Sequence, residues 1–146
     1  MQESVLSGSV KVKCVIALDS GIDCIEEIVR LMLPDQWRPH VTFARDAQST
    51  YLIELVRNAL PALLVIHTNL FAFDPEWMAG CVAVSPNTRY LVLSSWSEER
   101  IDNLLKLCEP LHVSLEVLRT PFNRAQFIAA LEPACGLLAQ HRDCAN

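Results

Sequence analysis

Pro61-Ala62-Leu63-Leu64-Val65-Ile66-His67 is the stretch on which the fold turns. Leu63 to Ile66 are apolar with no polar residue among them, so neither a helical nor an alternating pattern leaves a face for water. A run this short, opened by a proline and closed by a histidine, reads as a strand covered on both sides, the mark of a parallel sheet between helical layers. After a loop from Thr68 to Phe73, Asp74-Pro75-Glu76 sets a cap, a first-turn proline and a first-turn acid in the order that opens a helix. That helix is expected to end near Ser85-Pro86-Asn87.

The same alternation repeats outward in both directions. Upstream, Val10 to Leu18 is the first strand and Asp19-Ser20-Gly21 ends it. Ile22, Ile25, Ile28, Val29 and Met32 then recur at helical spacing, with Glu26, Glu27 and Arg30 on the water side, until Pro34. His40 to Ala44 is the second strand. Asp46 to Thr50 offers caps for a helix whose apolar face is Leu52, Leu55, Val56 and Ala59. Downstream, Tyr90 to Ser94 is the fourth strand. Ser97-Glu98-Glu99 opens a helix with Ile101, Leu104, Leu105 and Cys108 on one face, closed by Pro110. His112 to Leu118 is the fifth strand, and the last helix starts at Asn123, turns Phe127, Ala130 and Leu131 inward and meets Pro133.

This is an α/β pattern for an open doubly wound sheet with right-handed crossovers. The expected organisation is a tail over 1–9, one domain over 10–135 and a tail over 136–146. Chemistry in such a fold gathers at the strand C-termini, occupied here by Asp19, Ala44 with Arg45, His67, Ser94 with Ser95, and Thr120 with Pro121.

Composition removes several classes of function. The 146 residues are 51% hydrophobic, which excludes a disordered chain and gives one domain enough core to hold without disulfides. Twelve Lys plus Arg against seventeen Asp plus Glu, a net charge of -5, argue against binding nucleic acid or an anionic membrane. No apolar run is long enough to cross a bilayer, and Met1 to Val12 lacks the basic and apolar regions of a secretory signal, so a cytoplasmic protein is expected. The six cysteines are scattered without a CxxC pair and read as small buried hydrophobes. Cys135, His141 and Cys144 supply three metal ligands without a fourth, so no metal is expected. With four glycines in the chain, and one in Asp19-Ser20-Gly21, there is no phosphate-cradling loop, and no Gly-x-Ser-x-Gly elbow occurs. Neither a cofactor nor catalysis is expected.

The sequence resembles the receiver domain of bacterial response regulators over about Val12 to Leu131. The resemblance is sharpest at Pro61 to His67, at Leu91-Val92-Leu93-Ser94-Ser95 and at Leu118-Arg119-Thr120-Pro121-Phe122, and the helix starts at Ser97 and Asn123 suit it. It implies a flavodoxin-like sheet of five parallel strands, order 2-1-3-4-5, with five helices on both faces. It also implies a chemistry: phosphoryl transfer from a partner's phosphohistidine to an aspartate ending the third strand. That reaction needs two acids after the first strand for Mg2+, a lysine after the fifth and a Ser or Thr after the fourth.

Carried over residue by residue, the phosphoacceptor position falls on His67, which forms no acyl phosphate. The acidic pair is reduced to Asp19, the lysine is replaced by the uncharged Thr120, and Arg119 is expected on the opposite face. Ser94 alone keeps the family's type. The aromatic that reports phosphorylation in many receivers aligns with Val117, a stiff β-branched side chain. The resemblance therefore implies a degenerate receiver, acting in signal transduction by protein–protein contact without aspartyl phosphorylation. His67 is expected to fill the vacated pocket, with Asp19 or Ser94 as hydrogen-bond partner.

Trp37, Trp77 and Trp96 are the residues to watch for binding, because tryptophan concentrates at interface centres. Trp96 stands beside the surface of fourth helix, fifth strand and fifth helix through which receivers pair, so Trp96, Val117 and Arg119 are the interface candidates and a homodimer is expected. Phe71 and Phe73 offer another apolar patch. The competing expectation is a small-ligand sensor using the cleft around His67.

Overall fold

A computed structural model of the chain describes residues 13–18, 25–45, 48–68 and 75–131. Five parallel strands, β1 (Cys14–Leu18), β2 (Val41–Arg45), β3 (Leu63–His67), β4 (Arg89–Ser94) and β5 (Leu115–Arg119), form one sheet in the order β2-β1-β3-β4-β5. The helices are α1 (Ile25–Met32), α2 (Ser49–Ala59), α3 (Pro75–Val84), α4 (Glu98–Cys108) and α5, residues 124–131. This is the doubly wound flavodoxin-like arrangement.

The three central strands are apolar through their middles, with polar residues only at the ends (Arg89, His67 and Ser94), because both of their faces are covered. Cys14, Ile16, Leu18, Leu63, Val65, Leu91 and Leu93 meet Ile25 and Val29 of α1 and Phe127 and Leu131 of α5. The alternate residues Val15, Ala17, Leu64, Ile66, Tyr90 and Val92 meet Leu52 and Val56 of α2, Met78 and Cys81 of α3, and Leu104 and Cys108 of α4. Each buried Leu or Ile contributes about 2 kcal/mol against solvent exposure, so burial holds the sheet from both sides. Gly80 lets α2 approach α3, since a Cβ there would stand 3.1 Å from Ile53 Cδ1. Among the described residues no helix is long and apolar enough to cross a membrane.

Several sequence-derived boundaries move. Lys13 lies outside β1, and Val10 to Val12 fall outside the described residues. β2 runs one residue later than His40 to Ala44, because Asp35–His40 closes into a 3-10 turn that keeps His40. β4 gains Arg89 at its start. β5 begins at Leu115, three residues past His112, because a 3-10 turn over Glu109–Leu111 ends with His112 in the left-handed region at φ 54°. The α2 cap is Gln48, which makes no side-chain capping bond, and Ser49 and Thr50 are already helical. Pro110 does not end the helical path after Cys108; it sits inside that second 3-10 turn.

Two helix faces are also corrected. Ile28, expected inward on α1, is 43% exposed, while Glu26, expected outward, is buried. On α4, Ile101, Leu104 and Cys108 are buried as the spacing predicts, but Leu105 is 38% exposed. The α4 start follows its sequence: Ser97 Oγ accepts from the Arg100 N–H at 3.2 Å. Asn123 and Gln126 cap α5 reciprocally, each backbone N–H reaching the other's side-chain oxygen at 2.9 and 2.8 Å.

Candidate functional site

The C-terminal ends of the strands carry Leu18, Arg45, His67, Ser94 and Arg119 along one edge of the sheet. Strand alternation divides what stands there. Continuing β3, His67 takes the parity of Leu63 and Val65, toward α1 and α5, and Thr68 takes the parity of Leu64 and Ile66, toward α2 to α4. On β4, Ser94 shares the second parity with Tyr90 and Val92. Thr68 and Ser94 therefore meet: Thr68 Oγ1 donates to Ser94 Oγ at 3.0 Å.

The Ser94 hydroxyl also accepts the backbone N–H of Trp96 at 3.0 Å. Its carbonyl takes the N–H of Thr120 at 3.0 Å, and the N–H of Thr68 goes to Leu93 O at 3.0 Å. Ser94 thus ties the chain after β3, β4 and β5 together. It has no exposed surface, and His67 and Thr68 are each 3% exposed.

β5 splits in the same way. Leu115 and Val117 pack on the α2 to α4 side and Leu118 on the other, so Arg119, opposite Ser94 in register, continues the side of Ser94 and points its exposed side chain away from His67. Thr120 continues the parity of Leu118 and His67. Of the four residues expected in a vestigial site, His67, Ser94 and Thr120 do gather at one edge, on two faces of it. Asp19 lies outside the described residues. Thr68, which sequence reading left in a loop, joins the site; its parity with Ile66 was the signal.

A second cluster stands at the β2 end. The buried Glu26 carboxylate accepts Arg45 Nε at 2.7 Å and Arg45 Nη2 at 2.9 Å, and Arg30 Nε at 3.0 Å. Arg30 also stacks over the Phe43 ring, 3.8 Å from its centroid. The hydrogen bonds from Arg45, helped by Arg30 and opposed by burial, pull the Glu26 carboxyl down from 4.5 to about 2. A bidentate guanidinium clamp explains why an acid lies on the inner side of α1.

Of the tryptophans, Trp37 is core on the α1 and α5 side, and Trp77 is buried with Nε1 donating to Ser49 O at 3.0 Å. Trp96 is half-buried, and the Arg100 guanidinium lies 3.7 Å from its ring centroid. Val117 is half-buried and Arg119 exposed. Cys14, Cys81 and Cys108 are free and buried, and burial pushes the Cys14 and Cys81 thiols up to about 12, far from a reactive thiolate. Phe71, Phe73, Cys24, Cys135, His141 and Cys144 lie outside the described residues.

Five parallel strands in this order, with the polar residues gathered at their C-terminal edge, define an α/β protein with the fold of response-regulator receiver domains. Solved structures agree. The chain is similar to the signal receiver domain of an HD domain-containing protein from Pseudomonas fluorescens Pf-5, at 19% identity and TM-score 0.64, covering 88% of this chain and 98% of that one. It is similar to a two-component transcriptional regulator from Clostridium phytofermentans ISDg, at 12% identity and TM-score 0.64, over 89% and 98% of the two chains. It is also similar to a putative pilus assembly-related protein from Burkholderia pseudomallei K96243, at 18% identity and TM-score 0.58, over 87% and 92%. No family model and no curated protein matches the sequence.

Proposed function

We propose that this chain is a degenerate receiver: a cytoplasmic signalling or adaptor domain that works by protein–protein contact, without aspartyl phosphorylation and without catalysing a reaction. The observation that carries the reading is His67 at the end of β3, where an imidazole stands in place of the carboxylate that an acyl phosphate requires. Thr120 supports it, since an uncharged hydroxyl neutralises no incoming phosphoryl charge.

The burial of His67, Thr68 and Ser94 favours contact between proteins over a small-ligand sensor, because none of the three offers appreciable surface to a ligand. The favoured contact surface is α4 with β5 and α5, centred on Trp96, Val117 and Arg119, and its first occupant is a second copy of the chain. Incubation with acetyl phosphate and Mg2+ should leave the intact mass unchanged. An acid-labile adduct on any aspartate overturns the proposal.

A further inference from the structure

The Ser94 hydroxyl accepts from two sides at once, and a hydroxyl oxygen has two lone pairs to offer. One is engaged by Thr68 Oγ1–H, from the residue after β3, and the other by the Trp96 N–H, two residues after β4. Its acceptor capacity is spent within the protein, in a place with no exposed surface. Trp96 is held from the other direction as well. Its ring carries the Arg100 guanidinium, and the Arg100 N–H is fixed by Ser97 Oγ at the start of α4.

We propose that Thr68 and Ser94 form a built-in latch that sets the position of Trp96, so that the surface at the start of α4 is presented in one arrangement by the chain's own hydroxyls. Thr68 is a positioning residue in this scheme: it acts on Trp96 through Ser94. A hydroxyl that donates to Ser94 Oγ fixes the rotamer of that oxygen and so holds it at the geometry the Trp96 N–H needs; the two bonds converge on one acceptor, and the coupling between them is through its position. No ion or phosphoryl group takes part. The latch concerns the placement of Trp96 and does not rest on the absence of phosphorylation.

Native-state amide exchange of the full chain, followed by NMR, tests it. In Thr68→Val, an isosteric change that keeps the burial and removes the donor, the Trp96 amide should exchange about five- to tenfold faster, the scale of one net hydrogen bond. The Val65 amide in the middle of β3 should stay within about twofold of wild type, which separates loss of the latch from general loosening. Thr68→Ser, which restores a hydroxyl, should recover the protection at Trp96. Unchanged exchange at Trp96 in Thr68→Val, an equal loss at Trp96 and Val65, or no recovery with serine each overturns the latch.

Discussion

Tyr90 is a phenol in a place that uses only its ring. It is 2% exposed, packed with Val15, Ala17 and Val92 on the α2 to α4 side, and its hydroxyl lies against the Cys81 thiol in a geometry too poor for a full hydrogen bond. Burial, with Cys81 adding to it, pushes the phenol well above its ordinary value, so the neutral form is favoured. A buried hydroxyl without a good partner costs desolvation that nothing returns. Tyr90→Phe is therefore expected to match or exceed the wild-type stability, by up to about 1 kcal/mol, in urea denaturation followed by circular dichroism. A loss of that size would mean that the Cys81 contact is a net stabilising bond. Residue-level polarity of this kind is hidden from the sequence: Tyr90 reads as one more β-sheet aromatic until the neighbour of its hydroxyl is known.

At the scale of elements, α1 is joined to β2 by charge as well as by apolar packing. Arg45 at the β2 end grips Glu26 with two nitrogens, and Arg30, one turn along α1, completes the cage. A carboxyl whose value falls from 4.5 to about 2 on folding adds stability that is present above about pH 4.5 and is lost as the pH drops through about 2. Because the Arg30 and Arg45 side chains are 48% and 61% exposed, solvent screening holds the contribution to about 1 kcal/mol. Glu26→Gln should accordingly be less stable than wild type at pH 7, and the gap should close as denaturation is repeated toward pH 2. A gap that does not shrink on acidification would assign the loss to packing. The elements that were legible in the sequence share one property: their signal is local. Leu63–His67 is legible to the residue from four consecutive apolar side chains between a proline and a histidine, and α4 from the Ser97 cap and its helical spacing. What was misread depends on partners distant in the chain. Glu26 turns inward because of Arg45, nineteen positions away. Val113 and Ser114 were assigned to β5 because the left-handed residue at His112, which delays the strand, carries no glycine to announce it.

For the whole molecule the two faces of the sheet have different work. Among the described residues both edge strands are only partly covered, β2 with Ala44 alone buried and β5 with none, and they differ in that β2 carries the Glu26, Arg30 and Arg45 cluster while β5 lies beside α4. A half-covered edge near Trp96 and the exposed Leu105 and Leu107 of α4 is the surface that the proposed contact would remove from water. The site residues divide along the same line, since Ser94, Thr68 and Arg119 belong to the α4 side of the sheet and His67 and Thr120 to the α1 side. That division is a consequence of period-two alternation and was open to sequence reading; only the pocket inherited from the family resemblance had grouped Ser94 with Thr120. In the proposed latch the strand ends connect to the start of α4 through Ser94 and Trp96, while His67 continues the opposite face of the sheet. If the face acts by self-association, sedimentation velocity at tens of micromolar should give twice the mass of one chain. Val117→Asp, which buries a charge against an identical charge across a two-fold interface, should return the single-chain mass with the circular dichroism spectrum unchanged. Trp96→Ala should weaken the dimer by about 2 kcal/mol as a central aromatic anchor, whereas Leu31→Ala, a 78% exposed residue on α1, should leave it unaltered. Equal weakening by both would mean that the contact is not centred on the α4 face, and a single-chain mass for the wild type would overturn self-association.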